Sequence, residues 1–297
     1  MRNSRAEHGR VSDIFFSREY ASLAEPFSKL LLNYMPSTLM AGFLYLGAGL
    51  GMAAIALCRK LSHRHRTEEC LSKSELPYII AMIVLDIAAP ISLLWGLSMT
   101  TAANASLLNN FEIVATCCIA LMFFQERISP RLWLGIISIT ISCMILSFED
   151  ISSLHFSKGS LLVLLAACFW GLENNCTRKL SSKDPLQIVL LKGIFSGGGS
   201  LIIGFAIGER IRFLWSIPCV LLLGLVAYGL SIYTYVYAQR LLGASRTSAY
   251  YAIAPFIGAF LSLIIFHEIP GGAFLIALIL MLAGAWLSSS DKPFLCF

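Results

Sequence analysis

The stretch Leu121-Met-Phe-Phe-Gln-Glu126, followed by Arg127, Arg131 and a new apolar run, recurs 142 residues later as Leu263-Ile-Ile-Phe-His-Glu268, followed by Pro270-Gly-Gly272 and no Lys or Arg. One helix-loop-helix unit is therefore written twice, once with a basic loop and once without. Short loops rich in Lys and Arg stay on the cytoplasmic side of a membrane. A repeat whose equivalent loops exchange that charge is inserted in opposite orientations.

Composition supports a membrane setting. The chain has 297 residues, of which 57% are hydrophobic and 13% charged, whereas a soluble domain is about 25% charged. The net charge of +5 sits mostly in short loops, so it reads as an orientation signal and not as affinity for nucleic acid. Residues 1 to 30 hold five basic and four acidic side chains without the apolar core of a signal peptide. A spanning helix takes about 20 apolar residues. Nine runs qualify, near 36–58, 77–99, 102–124, 132–148, 159–180, 185–207, 214–238, 247–266 and 272–289. The fold expected is an all-α polytopic membrane protein.

With loop 59–76 placed in the cytoplasm and the sides alternated, the inner loops carry twelve basic residues and the outer loops three, Lys158, Arg210 and Arg212. The C-terminus then falls inside the cell. The best setting is the cell (inner) membrane. Loop 98–104 has no basic residue, while its repeat partner 239–246 has Arg240 and Arg246.

An inverted repeat needs an odd number of helices per unit. The second half supplies five and the first half four clear ones. The missing first helix should lie near 14–34, where Arg18, Glu19 and Glu25 interrupt the apolar residues. Each mid-helix charge costs about 2.5–3.5 kcal/mol on insertion scales, so this segment reads as polar or degenerate. Its tail still matches the second half: Lys29 with Lys179, Pro36 with Pro185, and Gly47-Ala-Gly49 with Gly197-Gly-Gly199. The organisation expected is a polar N-terminal tail over 1–25, a first repeat over 26–148 and a second over 153–290.

The nine cysteines form no C-x-x-C pair and mostly lie inside apolar runs. They read as small packing residues. The five histidines fall in loops and tails without metal-ligand spacing, so no metal or other cofactor is expected. Glycine clusters such as Gly197-Gly-Gly199 suit close helix crossing, not a phosphate loop. No nucleophile set suggests an enzyme.

Ionisable residues inside spans are costly and are candidates for function. There are four: Asp86, Glu112, Glu173 and Lys192. Asp86 and Glu112 lie fourteen and twelve residues from the turn near 100, hence at similar depth for a rise of about 1.5 Å per residue. Facing each other, they would share a proton. Capping of separate broken helices is the other reading. Asn109, Glu112 and Thr116 share a helical stripe, as do Trp170, Glu173, Asn174 and Thr177. Glu173 and Lys192 match in depth around the turn near 182, which predicts an intramembrane ion pair, with snorkelling of Lys192 to the cytoplasmic face as the alternative. Tyr228, Tyr235 and Tyr251 add aromatic rings suited to an organic cation or zwitterion, or to plain packing. Glu126 and Glu268, at equivalent helix ends, read as structural or gating residues.

The segments Thr101-Ala-Ala-Asn-Ala-Ser-Leu-Leu-Asn-Asn-Phe-Glu112, Phe169-Trp-Gly171 and Gly243-Ala-Ser-Arg-Thr-Ser-Ala-Tyr-Tyr-Ala-Ile-Ala-Pro255 resemble the drug/metabolite transporter superfamily, in particular its EamA-type members. The resemblance covers about residues 26–290. It implies ten helices in two inverted five-helix units, a central cavity partly lined by the first helix, and a small-molecule substrate moved by alternating access. The expected function is a secondary transporter that exports or exchanges small metabolites or amphipathic compounds, with proton coupling as an option. The alternative is an inserted but inactive paralogue, or a membrane interaction protein. The expected partners are a small molecule and the bilayer. Oligomeric state is open.

Overall fold

A computed structural model describes residues 20–61, 71–124, 129–150, 155–242, 247, 251, 253–267 and 269–289. The first repeat contains α1 (Ala24–Leu31), α2 (Ser37–Leu61), α3 (Leu76–Met99), α4 (Ala102–Leu108), α5 (Phe111–Phe124) and α6 (Pro130–Ser147). The second contains α7 (Lys158–Leu180), α8 (Pro185–Leu191), α9 (Gly197–Ala206), α10 (Ser216–Leu223), α11 (Ser231–Leu242), α12 (Ala254–Phe266) and α13 (Gly272–Ser289). Short π-helical segments, Lys192–Ser196 and Gly224–Leu230, join α8 to α9 and α10 to α11. A small antiparallel ribbon, Phe148–Asp150 with His155–Phe156, links the repeats.

Seven helical stretches among the described residues are long and apolar enough to cross a bilayer. They coincide with the first seven of the nine runs. The last two runs appear as the shorter apolar helices α12 and α13, and residues 248–250, at the start of the eighth run, lie outside the described residues. Large apolar side chains such as Ile202, Phe260, Ile279 and Trp286 are exposed. In a bilayer that surface meets lipid tails, so it costs nothing.

Helix starts follow local chemistry. The Ser129 hydroxyl accepts the amide of Leu132 and the Asp184 carboxylate that of Leu186, each followed by a proline at the first helical position. A side-chain acceptor satisfies an orphan amide, and proline has no amide to orphan. Helix α9 ends on Gly208 at φ +84, with Gly208 N–H donating to Phe205 O and Glu209 N–H to Gly204 O. This is the left-handed glycine ending of a Schellman motif. It aims Glu209 at the start of α2, where its carboxylate accepts the amide of Leu39 at 2.8 Å and that of Thr38 at 3.3 Å.

Helices in a membrane associate through close packing and hydrogen bonds more than through water exclusion. Helix α2 is crossed at Gly49 by Gly193, where a methyl on either glycine would meet the partner's backbone within 3 Å. The seam between α6 and α13 shows how the repeats relate. Ser138 Oγ donates to Leu280 O at 2.7 Å, and the two residues are 142 apart, the repeat offset itself. On one side of that bond Gly135 packs against Gly284. On the other, Ser142 Oγ donates to Ala277 O at 2.6 Å, and by the same offset Ser142 matches Gly284 and Gly135 matches Ala277. Contacts that map onto each other when the halves are exchanged define a pseudo-two-fold axis between Ser138 and Leu280. The numbering rises along one helix as it falls along the other, so the matched helices are antiparallel and the repeat is inverted.

The segment expected to be degenerate keeps its place in this symmetry. Helix α7 lies along α3 and α5, and α1 meets α10 and α12, which are the 142-residue counterparts of α3 and α5. Eight residues do not span a bilayer alone, and residues 1–19 lie outside the described residues. Yet one face of α1 packs into the protein, with Glu25 only 6% exposed while Phe27 and Leu30 face outward, so the carboxylate is met by protein and not by lipid.

Candidate functional site

Three of the site-bearing stretches are irregular. Helices α4 and α5 are one apolar run broken at Asn109-Asn110. Lys192 opens one π segment and Tyr228 lies in the other. Such single-turn irregularities free backbone groups and re-aim side chains. They let polar residues from several helices converge without unwinding whole spans.

Nine of the residues singled out from the sequence line a single cavity of about 160 Å³: Asp86, Asn109, Glu112, Trp170, Glu173, Lys192, Tyr228, Tyr235 and Tyr251. Both repeats contribute. Three pairs of lining positions are equivalent at the 142-residue offset: Asp86 with Tyr228, Leu93 with Tyr235, and Asn109 with Tyr251. The first repeat supplies the acid and the amide where the second supplies phenols. A larger crevice of about 460 Å³, around Thr100, Phe148 and Phe274, contains none of the nine.

One wall holds a buried charge triad. Lys192 Nζ forms an ion pair with Glu173 Oε1, and lies 3.3 Å from Asp86 Oδ2. The Tyr45 hydroxyl donates to Asp86 Oδ1 at 2.9 Å, and the Thr177 hydroxyl donates to Glu173. Lys192 is 3% exposed, so it does not snorkel to the membrane surface. The facing wall holds Glu112, which accepts from Asn174 Nδ2 at 2.6 Å, and Glu25, which accepts from Asn109 Nδ2. Asp86 and Glu112 line the same space, but each carboxylate is engaged elsewhere. Lys192 draws Asp86 to one wall, and Asn174 holds Glu112 on the other. The two do not form a direct proton-sharing pair. The aromatic side is built from two contacts: Tyr235 meets Tyr251 edge-on with ring centres 4.6 Å apart, and Tyr45 lies 5.4 Å from Tyr228. The Tyr251 hydroxyl donates to Ser231 O at 3.0 Å.

Sequence reasoning missed Tyr45 and read Glu25 as an obstacle to insertion. Nothing in the glycine-rich run around Tyr45 marks it. Glu25 had a signal. At the 150-residue offset of Lys29 and Lys179 it falls on Asn175, inside the polar stripe that contains Glu173, Asn174 and Thr177. Glu126 and Glu268 lie outside the described residues.

Comparison with known proteins adds the family. The model of the EamA-like transporter family matches residues 20–148 and again residues 157–290. The chain belongs to the EamA-like transporter family. The double match coincides with the two halves related by the axis at Ser138 and Leu280. This EamA-like protein is 26% identical over 274 residues to an "uncharacterized transporter" of Methanothermobacter thermautotrophicus, covering 87% of this chain and 78% of that one. It is also 27% identical over 111 residues to solute carrier family 35 member F6 of Mus musculus, covering 34% of this chain and 30% of that protein. A solved structure, "Crystal structure of protein", superposes with a TM-score of 0.70 at 16% identity, over 95% of this chain and 96% of its own. That likeness is one of fold. The family and the apolar helices make this a multi-pass membrane transporter of the drug/metabolite type, embedded in lipid and acting on a small molecule.

Proposed function

We propose that this EamA-like transporter moves a small organic molecule through the 160 Å³ cavity by alternating access, in exchange for protons. The observation that carries the reading is the convergence of acid, amide and phenol side chains from both inverted repeats on one buried space. Exchange of conformations between the two inverted units exposes such a site to each side in turn.

The two ends of the cavity are tied by matching contacts. Lys29, near the end of α1, donates to Leu97 O and to Thr100 O, the latter at 2.7 Å, at the end of α3. Arg240, near the end of α11, donates to Ser181 O at 2.6 Å and to Lys183 O, just past the end of α7. α10 and α11 together are the counterpart of α3, and α7 is that of α1. The same joint is therefore fastened by a cation on helix-end carbonyls at opposite membrane faces. Cations are favoured at helix C-termini, and such contacts are weak enough to release one at a time.

Glu112 serves as the proton-carrying group. It lines the cavity together with Glu25, Glu173 and Lys192, and its hydrogen-bond donor is Asn174. The burial of Glu25 in the cavity supports a working first helix over an inactive paralogue. The test is reconstitution in vesicles with an internal pH indicator, challenged with a panel of amines, amino acids and organic acids. A panel member is expected to release protons through the native protein and not through Glu112→Gln. Unchanged proton movement in that variant removes Glu112 from the mechanism. No response across the panel with native protein counts against exchange.

A further inference from the structure

We propose that the cavity takes its substrate as an organic cation. Its ammonium sits between Glu25 and Glu112, and its apolar body lies against the tyrosines of the second repeat. The proposal rests on the transport reading of this cavity and names the chemical class of its cargo.

The first observation is a charge imbalance with a definite location. Four carboxylates and one lysine line the cavity. The lysine is fully engaged by Asp86 and Glu173 on its own wall. Glu25 and Glu112 on the other wall receive one side-chain hydrogen bond each, and among the described residues no cation is paired with either. A buried carboxyl needs a partner charge, several donors or a proton, and in the exchange reading the cationic substrate and the proton take turns at this place.

The second observation concerns unused acceptors at the same place. Glu25, Asn109, Asn110, Glu112 and Tyr251 line an adjoining cavity of about 100 Å³. Asn110 is 1% exposed, its amide nitrogen donates to Met281 Sδ, and its Oδ1 has no hydrogen-bond partner. Asn109 spends its donor on Glu25, and its Oδ1 is likewise without a partner. Two carboxylates and two amides with unpartnered oxygens thus border one small space, and each amide already gives one N–H elsewhere. A group with donors and no acceptors completes it, and an ammonium has three N–H donors. A carboxylate would face two like charges and two amide oxygens, with at most one remaining N–H on each amide to receive it. A zwitterion would need its carboxylate bound, and Lys192 is already held by two acids. The rings of Tyr235 and Tyr251 add apolar surface and favourable faces for the positive end of the ligand.

The probes are primary ammonium ions graded from methylammonium to 2-phenylethylammonium, with the alcohols and carboxylates of the same skeletons. Calorimetry with the full chain in lipid nanodiscs measures binding without requiring transport. The ammonium series is expected to bind saturably, with the alcohols and carboxylates far weaker. Glu25→Gln with Glu112→Gln is expected to lower ammonium affinity at least about thirtyfold. If the double variant is not monodisperse, the single substitutions are read instead, each with a smaller loss. Equal binding of a carboxylate or alcohol, unchanged affinity in the variants, or no binding across the ammonium series overturns the proposal. Flux of the same probes in vesicles separates the two ideas. Binding without flux overturns the transport reading and keeps the cation site. Flux with no preference for the ammonium overturns the cation site and keeps transport.

Discussion

Lys192 is the residue on which the order of the cavity depends. It separates Asp86 from Glu173, and it is buried with them. Truncating it leaves two acids facing each other out of water. Lys192→Met is expected to destabilise the protein by about 3–5 kcal/mol, read as thermal unfolding in detergent. Adding Asp86→Asn and Glu173→Gln to that variant is expected to recover most of the loss, because neutral groups of similar shape need no counter-charge. An additive loss instead would show that the triad does not act as a unit. At this scale the sequence was informative wherever an ionisable residue interrupted an apolar run, which is why Asp86, Glu112, Glu173 and Lys192 stood out. It misled at Glu25. An insertion penalty assumes lipid around the side chain, and at Glu25 the surroundings are Asn109 and a cavity.

Helices α2 and α1 illustrate two ways an element is held. For α2 it is backbone proximity. Gly193→Leu would force the crossing with Gly49 apart, and overpacking of this kind costs about 1–3 kcal/mol or more. The expected result is lower yield and earlier unfolding, while Gly198→Ala, where a methyl meets nothing within 4 Å, should be tolerated. For α1 the tie is electrostatic, through Lys29 and the carbonyls of Leu97 and Thr100. Ser22 is buried beside this helix. A Ser22→Cys thiol is expected to react slowly with a maleimide, and about tenfold faster once Lys29→Met removes a charged hydrogen bond of about 1.5 kcal/mol or more. No change in rate would mean that Lys29 does not hold α1. The run boundaries were readable from apolar length. The break at Asn109-Asn110 and the two π segments were not, because a shift of one residue in hydrogen-bond register leaves composition untouched.

For the molecule as a whole, the pseudo-two-fold axis sorts contacts by how they change during transport. Contacts beside the axis, such as Ser142 with Ala277, can persist when the two units exchange conformations. Contacts far from it, such as Lys29 with Thr100, belong to one face and must break. In a background with the native cysteines replaced, a cross-link between Ser142→Cys and Ala277→Cys is expected to leave flux nearly intact. A short bifunctional thiol linker between Lys29→Cys and Thr100→Cys is expected to abolish it. The reverse pattern would refute an exchange of conformations about this axis. The inversion itself was legible from loop charge, since Arg127 and Arg131 have no counterpart after Glu268.

The Ser138–Leu280 contact has a further consequence. A residue bonded to its own repeat counterpart marks the centre of an isologous interface, the kind that joins two identical subunits. Two identical chains meeting there would be bound by self-complementarity: any acid at the level of Asp86 would appear again across the axis, and so would any ring. Covalent fusion of the halves lifts that obligation. One half keeps Asp86 and Asn109 while the other carries Tyr228 and Tyr251. The chamber thereby acquires a head and a tail, and a guest inside it has one preferred orientation instead of two equivalent ones.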